Sequence, residues 1–450
     1  MRETKQIHGM MTLSTLATVL LAAACGGKAK VDGTGPGGGG GGTGGTGAGA
    51  TDIVGEAPVK EEPKREISKD ARSDYESAVK FFTKSDKEGW SESACRQSAS
   101  QFESVASEHK DLIEASYMVG LAYHRCGLMA EAEKAYQATL GRKSNHGPTL
   151  SNLGEIAFRN GRVDAAKTAW VKALDAEPKL VAARINLAAL QLEELRKAKD
   201  AAAFARLDKE IQTQLSNALA VDGDNIRAYT LYALTFMEGR AKNKNRLDLA
   251  KLLLDEADKK PAAAKYAPLV NARGLLFLHR NALSEALKYF QSAVEMDSKF
   301  VEARMNVGLT TLGFRKYDTA KEQFTAVLGQ QPKNYDAIIG LGIAMRGMGD
   351  LDGAEGQYKK ARELDGRRGE ALFNLGVLYK DFKAAKSDDL KASQTAYRTA
   401  RDYFKDFMSK PGVSESDRDE AKNNIADCDK VIAQLDQFMK AQAAQPPAPK

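Results

Sequence analysis

Cysteine and histidine are the residues of this chain best suited to chemistry, and their spacing supports little of it. Of five histidines, His109, His124 and His146 lie fairly close together in sequence. None of them is paired at the i, i+4 spacing that sets two imidazoles on one helix face over a metal. His-Glu-x-x-His is absent, and so is Gly-x-Ser-x-Gly. The four cysteines, Cys25, Cys95, Cys126 and Cys428, form no Cys-x-x-Cys pair, so zinc and dithiol redox chemistry lack support. The glycine-rich run 33–49 has no Gly-Lys-Ser/Thr ending and cannot be a phosphate loop. The reading at this level is a chain with no catalytic residue, no metal site and no cofactor.

The elements that carry these residues are legible from a period. Gly274, Gly308, Gly342 and Gly376 each follow the last by 34 residues, and the interval recurs from Gly120 to Gly154 and on to Ala188. Twelve positions after the glycine comes a small residue: Ala132, Ala166, Ala286, Ala320, Ala354. Four later comes an aromatic: Tyr136, Trp170, Phe290, Phe324, Tyr358. Pro178 and Pro332 close two of the units, where a residue without an N–H ends a helix. A fixed helical period of this length specifies a stack of helix–turn–helix units. Gly and Ala sit where two antiparallel helices approach, and the aromatic fills the space a turn away, with burial worth about 1.5–3 kcal/mol.

These residues resemble the tetratricopeptide repeat (TPR), whose pattern places Leu-Gly, Tyr, Ala, Phe and Pro at the same offsets. The resemblance covers about residues 73–410. Clear units begin near Ile113, Gly147, Val181, Ala267, Val301, Tyr335 and Gly369, a degenerate one near Ile226, and a weaker one precedes Ile113. It implies an all-α fold, a right-handed TPR solenoid of about eight or nine helix–turn–helix repeats. Ala188 to Ala233 is 45 residues and Ala233 to Gly274 is 41, insertions of 11 and 7 that make the middle irregular. The first insertion lengthens a helix pair around 196–216, and Arg240–Arg246 falls in a loop made by the second. After the last repeat, Ile425, Cys428, Ile432, Leu435 and Met439 recur at helical spacing behind a Ser414 or Ser416 cap. This reads as a C-terminal capping helix over 411–440, followed by a disordered tail at 441–450.

The amino terminus carries a second signal. Arg2 and Lys5 precede an apolar run from Met10 to Ala24, too short to span a membrane, which reads as a signal peptide over 1–24. Leu21-Ala22-Ala23-Ala24-Cys25 resembles the bacterial lipoprotein lipobox, although the commonest form has leucine where Ala22 stands. The resemblance implies cleavage before Cys25 and acylation of that residue, with several acyl chains giving firm anchoring. Residues 25–72 are glycine-rich and then charged, a disordered tether. Its end-to-end distance is about 35–42 Å. By the same resemblance Gly26, rather than an aspartate, favours the periplasmic face of the outer membrane.

Composition fits a folded domain: 28% charged, 43% hydrophobic and a formal charge of +6. No dense basic patch with interleaved aromatics occurs, so nucleic acid is not an expected partner. Repeat counting places Cys95 near the start of one second helix and Cys126 near the end of the next first helix, at the same end of adjacent helices. In an oxidising compartment they form a candidate disulfide, and two buried free thiols are the alternative.

The TPR resemblance also implies a partner surface on the first helix of each unit. Carried over, the ninth positions are Leu275, Leu309, Ile343 and Val377, and the sixth include Asn152, Asn186, Asn306 and Asn374. The expectation is an apolar concave groove with an asparagine ladder, strongest from Ala267 to about Asp381, for hydrophobic or amphipathic segments of other envelope proteins. The implied function is a lipid-anchored periplasmic scaffold without enzymatic activity. In tether, repeat number and length the chain is most similar to the TPR lipoprotein of the adventurous gliding motility machinery. Type IV pilus or secretion lipoproteins and cell-wall or polysaccharide-export factors are the alternatives.

Overall fold

The computed structural model describes residues 67–385 and 387–443. The expected signal peptide, Cys25, most of the expected tether and residues 444–450 lie outside them. Among the described residues there are nineteen α-helices and no strand. They alternate as helix pairs: α1 Lys69–Glu88 with α2 Glu92–Glu108, α3 Ile113–Arg125 with α4 Met129–Arg142, and α5 Gly147–Arg159 with α6 Val163–Ala176. Then come α7 Val181–Lys197 with α8 Ala201–Val221, α9 Ile226–Glu238 with α10 Arg246–Asp258, and α11 Ala267–His279 with α12 Leu283–Met296. The last pairs are α13 Val301–Gly313 with α14 Tyr317–Gln330, α15 Tyr335–Gly347 with α16 Leu351–Leu364, and α17 Glu370–Val377 with α18 Leu390–Met408. The closing helix is α19, Glu415–Ala443. The chain divides inside α7 into two compact units, one ending at Leu187 and one beginning at Ala188.

The glycine of each repeat is set by a steric limit. A Cβ on Gly342 would lie 2.5 Å from the Tyr358 ring, on Gly308 2.8 Å from the Phe324 ring, and on Gly154 2.6 Å from the Trp170 ring. These are separations that carbon atoms do not tolerate, so the aromatic rests directly on the glycine backbone. Gly376 meets Phe404 in the same way, although the stretched last repeat supplies that ring from further along the chain. Tyr136, Trp170, Phe290, Phe324, Tyr358 and Phe404 are all fully buried.

A second periodic feature closes the first helix of five repeats. Gly127, Gly161, Asn281, Arg315 and Gly349 share one position in their repeats and all have positive φ, from 57° at Arg315 to 87° at Gly349. The backbone there makes two bonds back into the helix, as in Gly349 N to Arg346 O at 3.1 Å and Asp350 N to Met345 O at 3.0 Å. This Schellman turn satisfies carbonyls that the helix end would leave open. Glycine adopts it without strain, whereas an arginine at φ 57° pays for its Cβ.

The insertions are absorbed as helix and as turn. In regular repeats the first helix has 13 residues and the second 14, as in α13 and α14. Helix α7 has 17 and α8 has 21, four and seven more, which accounts for all eleven inserted residues. The second insertion is taken up by short 3₁₀ turns, Gly239–Ala241 and Ala263–Lys265, on either side of α10. Arg246 is not a free loop cation: its guanidinium holds Asp208 Oδ1 at 2.6 Å and Oδ2 at 3.0 Å. In the last pair, α17 runs into a π-helical stretch, Leu378–Lys383, which lengthens the link to α18.

Helix α19 covers the end of the stack. Ser414 Oγ accepts from Asp417 N at 3.1 Å, so Ser414 is the cap. Ala421, Cys428 and Ile432 are buried against Leu372, Phe373, Phe404 and Phe407. Buried Lys380 reaches across to Asn424 Oδ1 at 2.8 Å and Asp427 at 3.1 Å, which fixes the register of the lid. Burial pushes the Cys428 thiol up to about 11, so it stays protonated and unreactive.

Two substitutions test the backbone rules. Gly342→Ala should destabilise the chain by about 1–3 kcal/mol through overpacking. Arg315→Gly should stabilise it by about 1 kcal/mol by relieving the left-handed residue. Urea denaturation followed by circular dichroism measures both.

Candidate functional site

The structure does not build the expected apolar groove. Leu275, Leu309 and Ile343 are 4%, 0% and 3% exposed, and only Val377 of the four keeps partial exposure. Leu309 and Ile343 belong to one core with Met305, Leu312, Phe324, Ile339 and Tyr358. The reason is the stacking of neighbouring first helices. Each places its ninth position against the next repeat, so the leucines are shared between repeats and not offered to solvent. The twelfth positions Leu192, Met237, Leu278 and Leu312 are buried as well.

The asparagines are likewise committed to the fold. Asn306 Nδ2 donates to Asn271 Oδ1 at 2.9 Å, joining two successive first helices. Asn374 Oδ1 accepts from Arg346 Nη1 at 3.3 Å and its Nδ2 donates to Glu370 O at 2.9 Å. Arg346 is almost completely buried, with its guanidinium 5.4 Å from the Phe382 ring centre. Asn186 is buried too. Asn306 and Asn374 therefore serve inter-repeat bonds within the wall, and Asn186 Oδ1 is buried without a hydrogen-bond partner among the described residues, so these three are not a free row of peptide-binding amides. Buried polar groups need partners, and neighbouring repeats supply them to Asn306 and Asn374.

A more open stretch of wall lies in the first unit. Tyr117, Leu121, Asn152, Glu155 and Phe158, at inner positions of α3 and α5, all retain partial exposure. Asn152 Nδ2 donates to the Tyr136 hydroxyl at 2.9 Å and to the Tyr117 hydroxyl at 3.1 Å, which leaves Oδ1 as the acceptor. The Tyr117 and Tyr136 rings lie 5.9 Å apart and stack at 29°. Burial raises the pKa of both phenols, so both stay protonated. Arg159 holds Glu155 Oε1 at 2.8 Å. His124 lies beneath this layer, with Nδ1 3.4 Å from the Tyr136 hydroxyl and Nε2 3.9 Å from Glu155. A carboxylate, an amide and the Tyr117 phenol are thus partly exposed on the same two helices as Leu121 and Phe158, a surface suited to a peptide backbone and an aliphatic side chain. The sequence signal for it was the departure of α5 from the apolar ninth position of the later repeats: Glu155 stands where Leu309 and Ile343 do, whereas α3 keeps a leucine there, Leu121.

The same unit contains a disulfide. Cys95, in the first turn of α2, is joined to Cys126, the residue that ends α3, with Cα atoms 6.4 Å apart. It ties the first helix pair to the second at one end of adjacent antiparallel helices. Glu355, Lys359, Lys383 and Tyr379 form a separate polar cluster in the second unit. Burial alone would raise the Glu355 pKa, but bonds from Lys359, Lys383 and Tyr379 outweigh it and hold the carboxyl at about 2.

Both tryptophans of the chain, Trp90 and Trp170, lie in the first unit, so their fluorescence reports on it alone. Reducing Cys95–Cys126, or replacing both residues by alanine, should lower the stability of this unit by about 2–4 kcal/mol. Acid should act there as well. Burial lowers the pKa of His124 and of His146. The unfolded chain then takes up protons that the folded one refuses, so stability falls as pH drops below about 6.5. His124→Gln should flatten that part of the pH profile of tryptophan-monitored urea midpoints.

Comparison with known proteins gives the repeat class and little more. No family model matches the chain. Over 254 residues, 50% of this chain and 42% of the other, it is 26% identical to the peroxisomal targeting signal receptor of Candida albicans. Over 118 residues, 26% of this chain and 22% of the other, it is 28% identical to tetratricopeptide repeat protein 6 of Homo sapiens. The chain therefore spans less than half the length of these relatives. Among solved structures, Pseudomonas aeruginosa pilF aligns over 51% of this chain and 96% of its own, at 18% identity and a TM-score of 0.38, too distant to bear on function. The chain is thus similar to tetratricopeptide-repeat proteins, and the helix pairs described above have the fold of that repeat.

Proposed function

We propose that this chain is a lipid-anchored envelope scaffold that captures a partner protein on the wall formed by α3 and α5. The observation that carries the docking part is the contrast along the array. Inner positions from α11 to α16 are sealed by neighbouring repeats, whereas Tyr117, Leu121, Asn152, Glu155 and Phe158 stay accessible. A TPR wall that is already filled with its own side chains has nothing to exchange for a partner. An accessible one with a fixed carboxylate and amide can bond an extended backbone while Leu121 and Phe158 take its apolar side chains.

The anchoring part rests on the sequence before the folded region. The apolar run Met10–Ala24 and the lipobox-like Leu21–Cys25 support export, acylation of Cys25 and a periplasmic location at the outer membrane. The glycine-rich stretch that follows supports a spacer of about 35–42 Å between bilayer and repeats. The partner in this reading is another envelope protein that presents a hydrophobic or amphipathic segment. In its most specific form, the machine served is of the gliding-motility kind to which the tether and repeat number are similar.

Two measurements test the two parts separately. Labelled palmitate should enter the native protein and not Cys25→Ser, which should also leave the membrane fraction. Label in both, or in neither, removes the anchor. Leu121→Asp with Phe158→Asp should abolish recovery of partners from crosslinked envelopes while leaving helicity unchanged, because both side chains are partly exposed. By contrast Leu309→Asp, which buries a charge in a closed core, should unfold the second unit. Unchanged partner recovery in the Leu121/Phe158 variant would falsify the docking surface.

A further inference from the structure

The folding of the first helix pair assembles a group that the linear spacing conceals. Asp74 lies in α1, Glu108 is the last residue of α2, and His109 is the residue that ends it. One ligand atom from each lies within 4.8 Å of the others. His109 Nε2 stands 3.1 Å from Asp74 Oδ2, although the two residues are 35 apart in sequence. Glu108 Oε1 accepts from Ser104 Oγ at 2.9 Å, a bond that orients the carboxylate from the preceding turn of α2. The side chains of His109 and Asp74 are 19% and 47% exposed, so an ion can enter from solvent.

We infer that Asp74, Glu108 and His109 form a binding site for a divalent transition-metal ion, of which zinc fits best. The donor set decides the class. Calcium and magnesium prefer oxygen alone, whereas one imidazole nitrogen with two carboxylate oxygens suits zinc and its first-row neighbours. Zinc bonds these atoms at about 2.0–2.2 Å, which places adjacent ligands of a tetrahedral site about 3.3 Å apart. The His109–Asp74 separation already meets that edge. Rotation of the exposed Glu108 side chain closes the remainder, and water completes the shell.

Such an ion would act as a staple. Helix α1 is the first helix among the described residues, and its Ala78 and Phe82 pack with residues of α2 and α3. A metal shared by Asp74 of α1 and by Glu108 and His109 of α2 joins the two helices at the end opposite the turn at Gly89. It would complement the Cys95–Cys126 bridge, which ties α2 to α3. The site binds and stabilises; nothing in the arrangement gives the ion a reaction to perform.

The test uses the full chain, free of affinity tag and stripped of metal with a chelator. Zinc is titrated by calorimetry and cobalt by its visible absorption, which reports nitrogen and oxygen ligands directly. One ion per chain is expected, with a rise in the tryptophan-monitored melting temperature of the first unit. Asp74→Asn, Glu108→Gln and His109→Ala should each weaken binding by about tenfold or more and remove the rise in melting temperature. His279→Ala, remote from the site, should leave both unchanged. All four positions are partly or largely exposed, and circular dichroism verifies that the variants fold. Absence of a one-site isotherm, or the same isotherm in His109→Ala, overturns the inference.

Discussion

The contact between a glycine backbone and an aromatic ring sixteen residues later holds this structure together. It sets the distance between the two helices of a repeat, and with that distance fixed the next repeat can stack only in register. At Gly154, Gly308 and Gly342 the ring leaves no room for a Cβ, so the contact is specific as well as tight. Dispersion and apolar burial supply the energy, and the lack of a side chain supplies the geometry. The repeated left-handed turn at Gly127, Gly161, Asn281, Arg315 and Gly349 then returns the chain at the angle the contact requires.

The same tight stacking explains why the middle and later repeats present no open groove. Once first helices approach closely, their inner side chains meet one another. Leu309 and Ile343 become core, and Asn306 finds Asn271. In the first unit Asn152 bonds Tyr117, Glu155 replaces the ninth-position leucine and pairs with Arg159, and all three stay partly exposed. The inner positions that fail to close lie on α3 and α5, and the docking proposed above rests on them. The polar layer there has a cost, because burial lowers the pKa of His124 and His146 and this unit loses stability as they are forced to take up protons.

Irregularities in the repeat are as ordered as the repeat itself. Eleven extra residues extend α7 and α8 instead of forming a loop, and the second insertion winds into two 3₁₀ turns around α10. Arg246, which seemed a solvated cation in a basic run, clamps Asp208 across the longest of these helices. A charge run in sequence does not reveal whether its carboxylate partners lie near in space, and here one does.

The sequence by itself determined the helices, their pairing, the number of repeats, the positions of both insertions and the closing helix. Each of these follows from local periodicity, and period and capping residues are properties of neighbours in the chain. It also placed Cys95 and Cys126 at one end of adjacent helices, because repeat counting converts sequence separation into position. Only the tertiary structure decided which inner positions are sealed. Exposure depends on how closely consecutive repeats pack, and a leucine at the ninth position has the same type and spacing whether it faces a partner or the next helix. For the same reason Asp74, Glu108 and His109 carried no signal in sequence: the turn between α1 and α2 brings together residues that are 35 apart, and no local pattern records that approach.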